Sequence, residues 1–257
     1  MKNELFYQVA LSFIPQIGRV QARILTEKFG NAGAVFRAGR SQLENTGGIG
    51  AVRAAAVRNF NDFSRVEKEL RFVEKHKIRP LFLTDADYPK RLLECYDPPT
   101  LLYYRGNASL NTRRVLAVVG TRACSTYGKA LTEALLSELR AQAGEDILVI
   151  SGLAFGIDAL AHRSALKQGL PTVGVLAHGL QTLYPRQHTT LAREMLENGG
   201  LLTEFSSCSQ PDRHNFPTRN RIVAGLADAT VVIESGLKGG SLITAELANG
   251  YNRDVFA

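Results

Sequence analysis

The sequence predicts an α/β protein: a doubly wound, mostly parallel sheet preceded by a small all-helical unit. Three observations carry this. From residue 113 onward, short apolar runs end in glycine-containing turns and open into amphipathic helices, again and again. Residues 1–79 lack that alternation and instead repeat helix, glycine turn, helix. The composition, 45% hydrophobic and 21% charged over 257 residues, suits one large core with a small satellite, not a disordered chain.

The helical unit comes first. IPQIGRVQARILTEKFG (14–30) reads as a tight turn followed by a helix that ends at Gly30, and residues 5–13 supply the helix before it. Thr46-Gly47-Gly48-Ile49-Gly50 followed by AVRAAAVRNF repeats the idea. Two such units in tandem resemble the helix-hairpin-helix domain, in which hairpin amides beside a helix N-terminus grip a DNA phosphate. On that resemblance Gly18, Arg19, Gly48, Gly50 and Arg53 are candidate phosphate contacts; otherwise the turns serve packing alone. Gln16 departs from the pattern by standing where a glycine is expected. Residues 62–79 predict a charged connector helix with one buried stripe, Phe63, Val66, Leu70 and Val73.

Residues 81–83 predict a short strand, and ADYPKRLLECYDPPTLLYYRG (86–106) a proline-punctuated link in which Tyr103 and Tyr104 border the core. The larger unit, 80–257, follows. Strands are expected at 115–119, 147–150, 172–176, 200–203 and 229–233, with helices at 127–141, after Gly156, at 189–197 and at 242–249. Val255-Phe256-Ala257 begins a further strand at which the chain stops, so the sequence reads as a piece of a longer protein.

Net charge is +7, and the excess is uneven. Residues 1–79 hold 14 Lys and Arg against 7 Asp and Glu, whereas 80–257 hold 17 of each. A polyanion site in the larger unit must therefore be a local concentration of cations. The three cysteines, Cys95, Cys124 and Cys208, lie far apart and outside any C-x-x-C pair, which argues against disulfide or zinc frameworks. With no run long enough for a membrane span and no signal peptide, a reduced cytoplasmic protein is expected.

In a doubly wound sheet, ligands bind outside the carboxyl ends of the strands. Three strand ends deliver small residues there: Gly120-Thr121-Arg122, Ser151-Gly152 and Gly240-Ser241. Side by side, such turns make a row of anion-binding nests. The segment 213–221 adds Arg213, Asn215, Phe216, Arg219, Asn220 and Arg221. Its order, Arg–x–x–Phe–x–x–Arg–Asn–Arg, suits a nucleic-acid strand, with cations on phosphates and the ring on a base. The alternative is that Phe216 plugs the core and Arg219 or Arg221 pairs with Asp228 or Glu204.

Catalytic signals are poor. No G-x-G-x-x-G follows the first strand, and P-loop, G-x-S-x-G and H-E-x-x-H motifs are missing. Asp158 and His162, at i and i+4 on one helix face, read as a helix-stabilising pair or, less simply, as two ligands or an acid–base pair. No catalytic residue, cofactor or metal is expected.

Val118-Val119-Gly120-Thr121-Arg122, SGLAFGIDALAH (151–162), Tyr184-Pro185, FPTRNRIVAGL (216–226) and GGSLITAE (239–246) together resemble the DNA-processing protein A (DprA/Smf) family, in order, over residues 80–257. The resemblance implies an extended Rossmann-like domain that binds single-stranded DNA without sequence preference. It also implies a homodimer and a role in loading the RecA recombinase onto incoming DNA during natural transformation. Its pocket residues fall here on Arg122, Arg213, Phe216 and Lys238. Gln181, His188 and Gly239 depart from residues frequent in the family, and the winged-helix-like domain that often follows is absent from this sequence. A competing enzyme reading, a nucleotide phosphoribohydrolase, rests on a looser echo in Gly239-Gly240 and Glu246.

Overall fold

The computed structural model describes residues 2–144, 146–237 and 239–257. The helical region comprises α1 (Glu4–Phe13), α2 (Arg19–Phe29), α3 (Ala32–Arg37), α4 (Arg40–Glu44), α5 (Gly50–Asn59) and α6 (Phe63–Lys75). Side chains start these helices as capping chemistry requires: Asn3, Asn31 and Asp62 each accept an amide of the first turn. Glu4 adds a cap between helices, its carboxylate accepting the amides of Ala32 and Gly33 at the start of α3. The turn before α2 puts Gln16 at φ 66°, the left-handed conformation for which its position calls for glycine.

Among the described residues, eight strands form one sheet in the order β1-β2-β6-β5-β4-β3-β7-β8. They are β1 (Arg79–Phe82), β2 (Leu101–Gly106), β3 (Arg114–Val119), β4 (Ile147–Ser151), β5 (Thr172–Val175), β6 (Gly199–Thr203), β7 (Ala229–Val232) and β8 (Asp254–Phe256). Pairing is parallel from β6 through to β8, while β2 runs antiparallel to both β1 and β6, so β2 is the reversed strand. The five predicted inner strands are present within a residue or so of their expected ends. β2 was not expected. Leu101, Leu102, Tyr103 and Tyr104 are all buried within it, and the Tyr104 hydroxyl lies within hydrogen-bond distance of the Ala108 and Gly199 carbonyls.

The helices of this region among the described residues are α7 (Lys90–Leu93), α8 (Thr126–Ala143), α9 (Ile157–Lys167), α10 (Thr189–Glu197), α11 (Asn215–Leu226) and α12 (Gly240–Gly250). The alternation of strand side chains divides the core between the faces. Val118 and Val149 pack with Leu136 of α8 and Ile157, Ala161 and Ala165 of α9. Val115, Ala117 and Val119 instead join the cluster holding Ile222, Val223 and Leu226 of α11. That second cluster continues without a break through Phe82, Tyr88 and Tyr104 into Phe6, Val9 and Leu25 of the helical region. A division at residue 79 therefore falls in β1 and cuts a shared core. The α6 stripe also differs from expectation, because it buries the charged Glu69 beside Val66 and Val73. Its carboxylate accepts the Ser207 amide and hydroxyl at 2.8 and 2.6 Å, tying α6 to the loop after β6.

Candidate functional site

The strand order reverses at β3: β4, β5 and β6 build outward on one side, β7 and β8 on the other. At that switch point the connections leave in opposite directions and open a crevice. A cleft of about 460 Å³ lies there. Its walls are the turn after β3 (Gly120, Thr121, Arg122), the turn after β4 (Gly152, Ala154), the turn after β7 (Gly236, Gly239, Gly240, Ser241) and the first turns of α11. All three turns expected side by side line this one cleft.

Glu234 holds two of these turns in register. Its carbonyl accepts the Thr121 amide at 2.7 Å, and its carboxylate accepts the amide and hydroxyl of Ser125, the N-cap of α8. These hydrogen bonds from Ser125 keep the Glu234 carboxyl below the usual range. Sequence reading gave Glu234 no role, since its partners lie on a different strand connection. At the third turn, Gly156 takes φ +75° and a Cβ there would lie 2.2 Å from the Thr121 carbonyl oxygen. The start of α9 can thus press against the turn that carries Arg122 only with glycine.

Residues 215–226 are helical and take in all of the expected strand-tracking run except Arg213 and His214, which changes the role of each residue they hold. On α11 Phe216, Asn220 and Val223 recur at helical spacing and line the cleft together. Arg219 and Arg221 are two positions apart, roughly 200° around the axis, and so point to opposite sides. Both are only 4% exposed. Arg221 faces away from the cleft, donating to the Asp97 carbonyl at 2.6 Å and to the Glu204 carboxylate. As a nucleic-acid contact Arg221 is therefore corrected: it serves a buried ion pair. The alternative pairing with Glu204 holds, while Asp228 is taken by Arg91 at 2.7 Å. Burial raises the Glu204 carboxyl, and Arg221 partly offsets that rise.

Arg219 stands behind the cleft floor. Its guanidinium donates to the carbonyls of Gly152 and Val175 and to Asn220 Oδ1. Burial pushes its pKa down, Asp158 pulls it back up, and Arg122 pushes it down again. Arg219 thus works as a positioning group with its charge at the wall, not as an exposed finger. Gly152 is matched to it, since a Cβ there would fall 2.3 Å from Nη1. Ser151 is corrected as well: it is fully buried, and its hydroxyl donates to the Val118 carbonyl at 2.6 Å.

Arg122 remains exposed, and its guanidinium carbon sits 5.6 Å from the centre of the half-buried Phe216 ring. The Arg219 guanidinium carbon lies 6.0 Å from the same ring. Tyr184, preceding a cis peptide bond to Pro185, meets Phe216 edge-on at 6.2 Å. A smaller apolar recess beyond, lined by Phe155, Leu176 and Tyr184, shares Arg122 and Phe216 with the main cleft. Phe216 therefore stands between two hollows. Arg213 is exposed just before α11, beside His214 at 3.1 Å, and the Asn215 side chain turns to the Gln210 carbonyl. Ser241 lines the cleft with its hydroxyl given to Ser235, and Asn220 donates to the Gly240 carbonyl. Lys238 lies outside the described residues.

Asp158 lines the cleft floor, where burial raises its pKa and Arg219 lowers it. His162, one turn on, bonds Thr172 at 2.6 Å through Nδ1, and burial lowers its pKa to about 3. The two go to different partners, so neither the helix-stabilising pair nor the acid–base pair is formed. Glu246, the residue on which the enzyme reading turns, is exposed on α12 and is not part of the cleft wall. In the helical region Arg19 pairs with Asp97 at 3.4 Å, and Arg53 donates to the carbonyls of Gln16 and Gly48. Gly18 caps α2 with no side-chain hydrogen bond, and Gly48 and Gly50 take φ +80° and +64°.

The cleft and its sheet match known proteins. Residues 79–257 match the family model of DNA recombination-mediator protein A. The chain belongs to that family. All the cleft residues lie within the segment matched to the recombination-mediator family, and the hairpins at Gly18 and Gly48 lie before it. Protein Smf of Synechocystis is 36% identical over 99% of the chain, and DNA processing protein DprA of Streptococcus pneumoniae is 40% identical over 72%. The chain spans 64% of the length of each. The crystal structure of the Streptococcus pneumoniae protein superposes with a TM-score of 0.80 at 32% identity, covering 100% of this chain and 87% of that one. The structure of DNA processing protein A from Helicobacter pylori, which describes a single-stranded DNA binding mode of that protein, gives 0.62 at 30% identity, covering 70% and 79%. Among the described residues no helix is long and apolar enough to cross a membrane.

Proposed function

We propose that the cleft binds single-stranded DNA without sequence preference and that the chain acts as a binding protein, not a catalyst. The observation that carries this reading is the half-buried Phe216 ring with the exposed Arg122 guanidinium carbon 5.6 Å from its centre and the buried Arg219 guanidinium carbon at 6.0 Å. It stands in an open cleft of about 460 Å³ walled by glycine turns. The exposed Arg122 guanidinium beside the ring suits a phosphate while the ring suits stacking on a base of any identity, and the buried Arg219, bound to the Gly152 and Val175 carbonyls, adds positive potential from the wall. Base-edge readout would need convergent side-chain donors and acceptors. Ser151, Asn220 and Ser241 are instead committed to partners within the fold.

The Helicobacter pylori structure supports the single-strand reading, and the family's name, a recombination mediator, supports the further reading that the strand is handed to a RecA recombinase during transformation; a homodimer in the cytoplasm is part of the same proposal. The deciding experiment is a titration of labelled single- and double-stranded oligonucleotides at two salt concentrations. A strong single-strand preference with salt-sensitive affinity is expected; equal affinity for duplex, or release of free base or cleaved product, overturns the reading.

A further inference from the structure

A second groove of about 410 Å³ runs between α8 and α9, on the far side of the turn that carries Arg122. Lys129 and Glu133 of α8 line one side; Leu160, Arg163 and Lys167 of α9 line the other. The α9 residues recur at spacings of three and four, a single stripe along the helix running from Gly156 at its head. From Gly156 to Lys167 that stripe extends roughly 16 Å. Lys129, Arg163 and Lys167 are exposed, and among the described residues none of them forms an ion pair. Three exposed cations around one carboxylate, Glu133, give this concave surface a net positive potential.

The groove is also joined to the cleft. Gly156 heads it, with its α-carbon packed so closely that a Cβ would strike the Thr121 and Arg122 backbone at 2.2 and 2.6 Å. The Ile157 amide donates to the Thr121 carbonyl at 3.1 Å. Thr121 and Arg122 line the cleft with their other side. One thin turn therefore separates the two hollows, and Arg122 projects from it into solvent.

We propose that the α8–α9 groove is a second subsite for the same single strand. The backbone leaving the cleft crosses the Arg122 turn and lays its next phosphates along Lys129, Arg163 and Lys167. This rests on the single-strand reading of the cleft and sets the length of strand the chain covers. No base contact is implied, because none of the residues lining the groove carries an aromatic ring.

The test uses the full chain with Lys129→Gln, Arg163→Gln and Lys167→Gln combined. Oligo-dT of about 5 residues and of about 20 residues are titrated across a salt series, the shorter to fill the cleft alone. The variant is expected to bind the short strand as the parent does and the long strand about tenfold or more weakly. Its slope of log K against log salt on the long strand should fall by about 2, the counterions of three phosphates. Unchanged affinity and slope on the long strand overturn the proposal. So does an equal loss on both lengths, which would place the groove within the cleft's own binding energy or the cations in the fold's stability. A parent that binds neither length rejects the single-strand reading itself, a result distinct from either of those.

Discussion

The guanidinium carbon of Arg122 lies 5.6 Å from the centre of the Phe216 ring, although the two residues come from the end of β3 and the first turn of α11. The pairing makes one platform from two chain segments. Removing either half has a predictable cost. Phe216→Ala is expected to weaken oligo-dT binding by about 1–3 kcal/mol, roughly 5- to 150-fold. Arg122→Glu should weaken it by at least about tenfold and lower its salt dependence. Fluorescence anisotropy measures both, and parental affinity in the two variants would remove the platform from the site.

Arg219 and Arg213 separate stability from binding. Arg219→Met should destabilise the fold by about 2–4 kcal/mol, because the Gly152 and Val175 carbonyls lose their donor and Asp158 loses a nearby positive charge. Arg213→Ala changes an exposed side chain and should stay within about 0.5 kcal/mol of the parent. Urea denaturation of the pair gives the comparison. Similar midpoints would mean that Arg219 is not the structural residue its contacts describe.

Gln16 offers a gain. It holds φ 66° without being glycine, at a cost of about 1–2 kcal/mol that Gln16→Gly removes. The added freedom of glycine in the unfolded chain returns about 0.4–1 kcal/mol of that. A net stabilisation of about 0.5–1 kcal/mol is expected, read as a raised denaturation midpoint; a lowered midpoint would contradict it.

His162 predicts an acid response. Its pKa is about 3 in the fold against an unperturbed 6.5, because burial disfavours the charged ring. The unfolded chain thus takes up the proton first. The stability is full above pH 6.5 and is lost as pH falls from there toward 3, at up to about 1.4 kcal/mol per pH unit. Asp158 and Glu204 act in the opposite sense. Their raised pKa values give stability at low pH that is lost as pH rises through the carboxylate range. His162→Asn removes the histidine's share, so the change of denaturation free energy per pH unit between pH 6.5 and 5 should be less positive with rising pH than in the parent. An unaltered slope would assign the acid response elsewhere.

Strands buried on both faces were legible because they read as unbroken apolar runs, as 115–119 and 147–150 do. Their glycine-bearing ends located the cleft. β2 escaped notice because its pairing with β6 joins Tyr103 to Thr203, a hundred residues away, and prolines surround the run. The roles of Arg219 and Arg221 were misread for a related reason. A cluster of basic residues in sequence implies a basic surface only if the segment is extended. Wound into a helix, the same residues diverge, and whether each is solvated depends on partners such as Asp97, 124 positions earlier in the chain. Ser151 shows the same limit at the end of β4, since its hydroxyl is taken by a neighbouring strand.

Glu69 has a practical consequence. By holding Ser207 at 2.8 and 2.6 Å it makes α6 a brace for the loop that leads to Arg213 and Phe216. Clipping the chain after residue 79, the obvious way to isolate the cleft, would unfasten that brace and strip the apolar cover from Phe82 and Tyr104. A fragment cut there would report on a loosened site, so affinities measured on it would understate what the intact chain can grip.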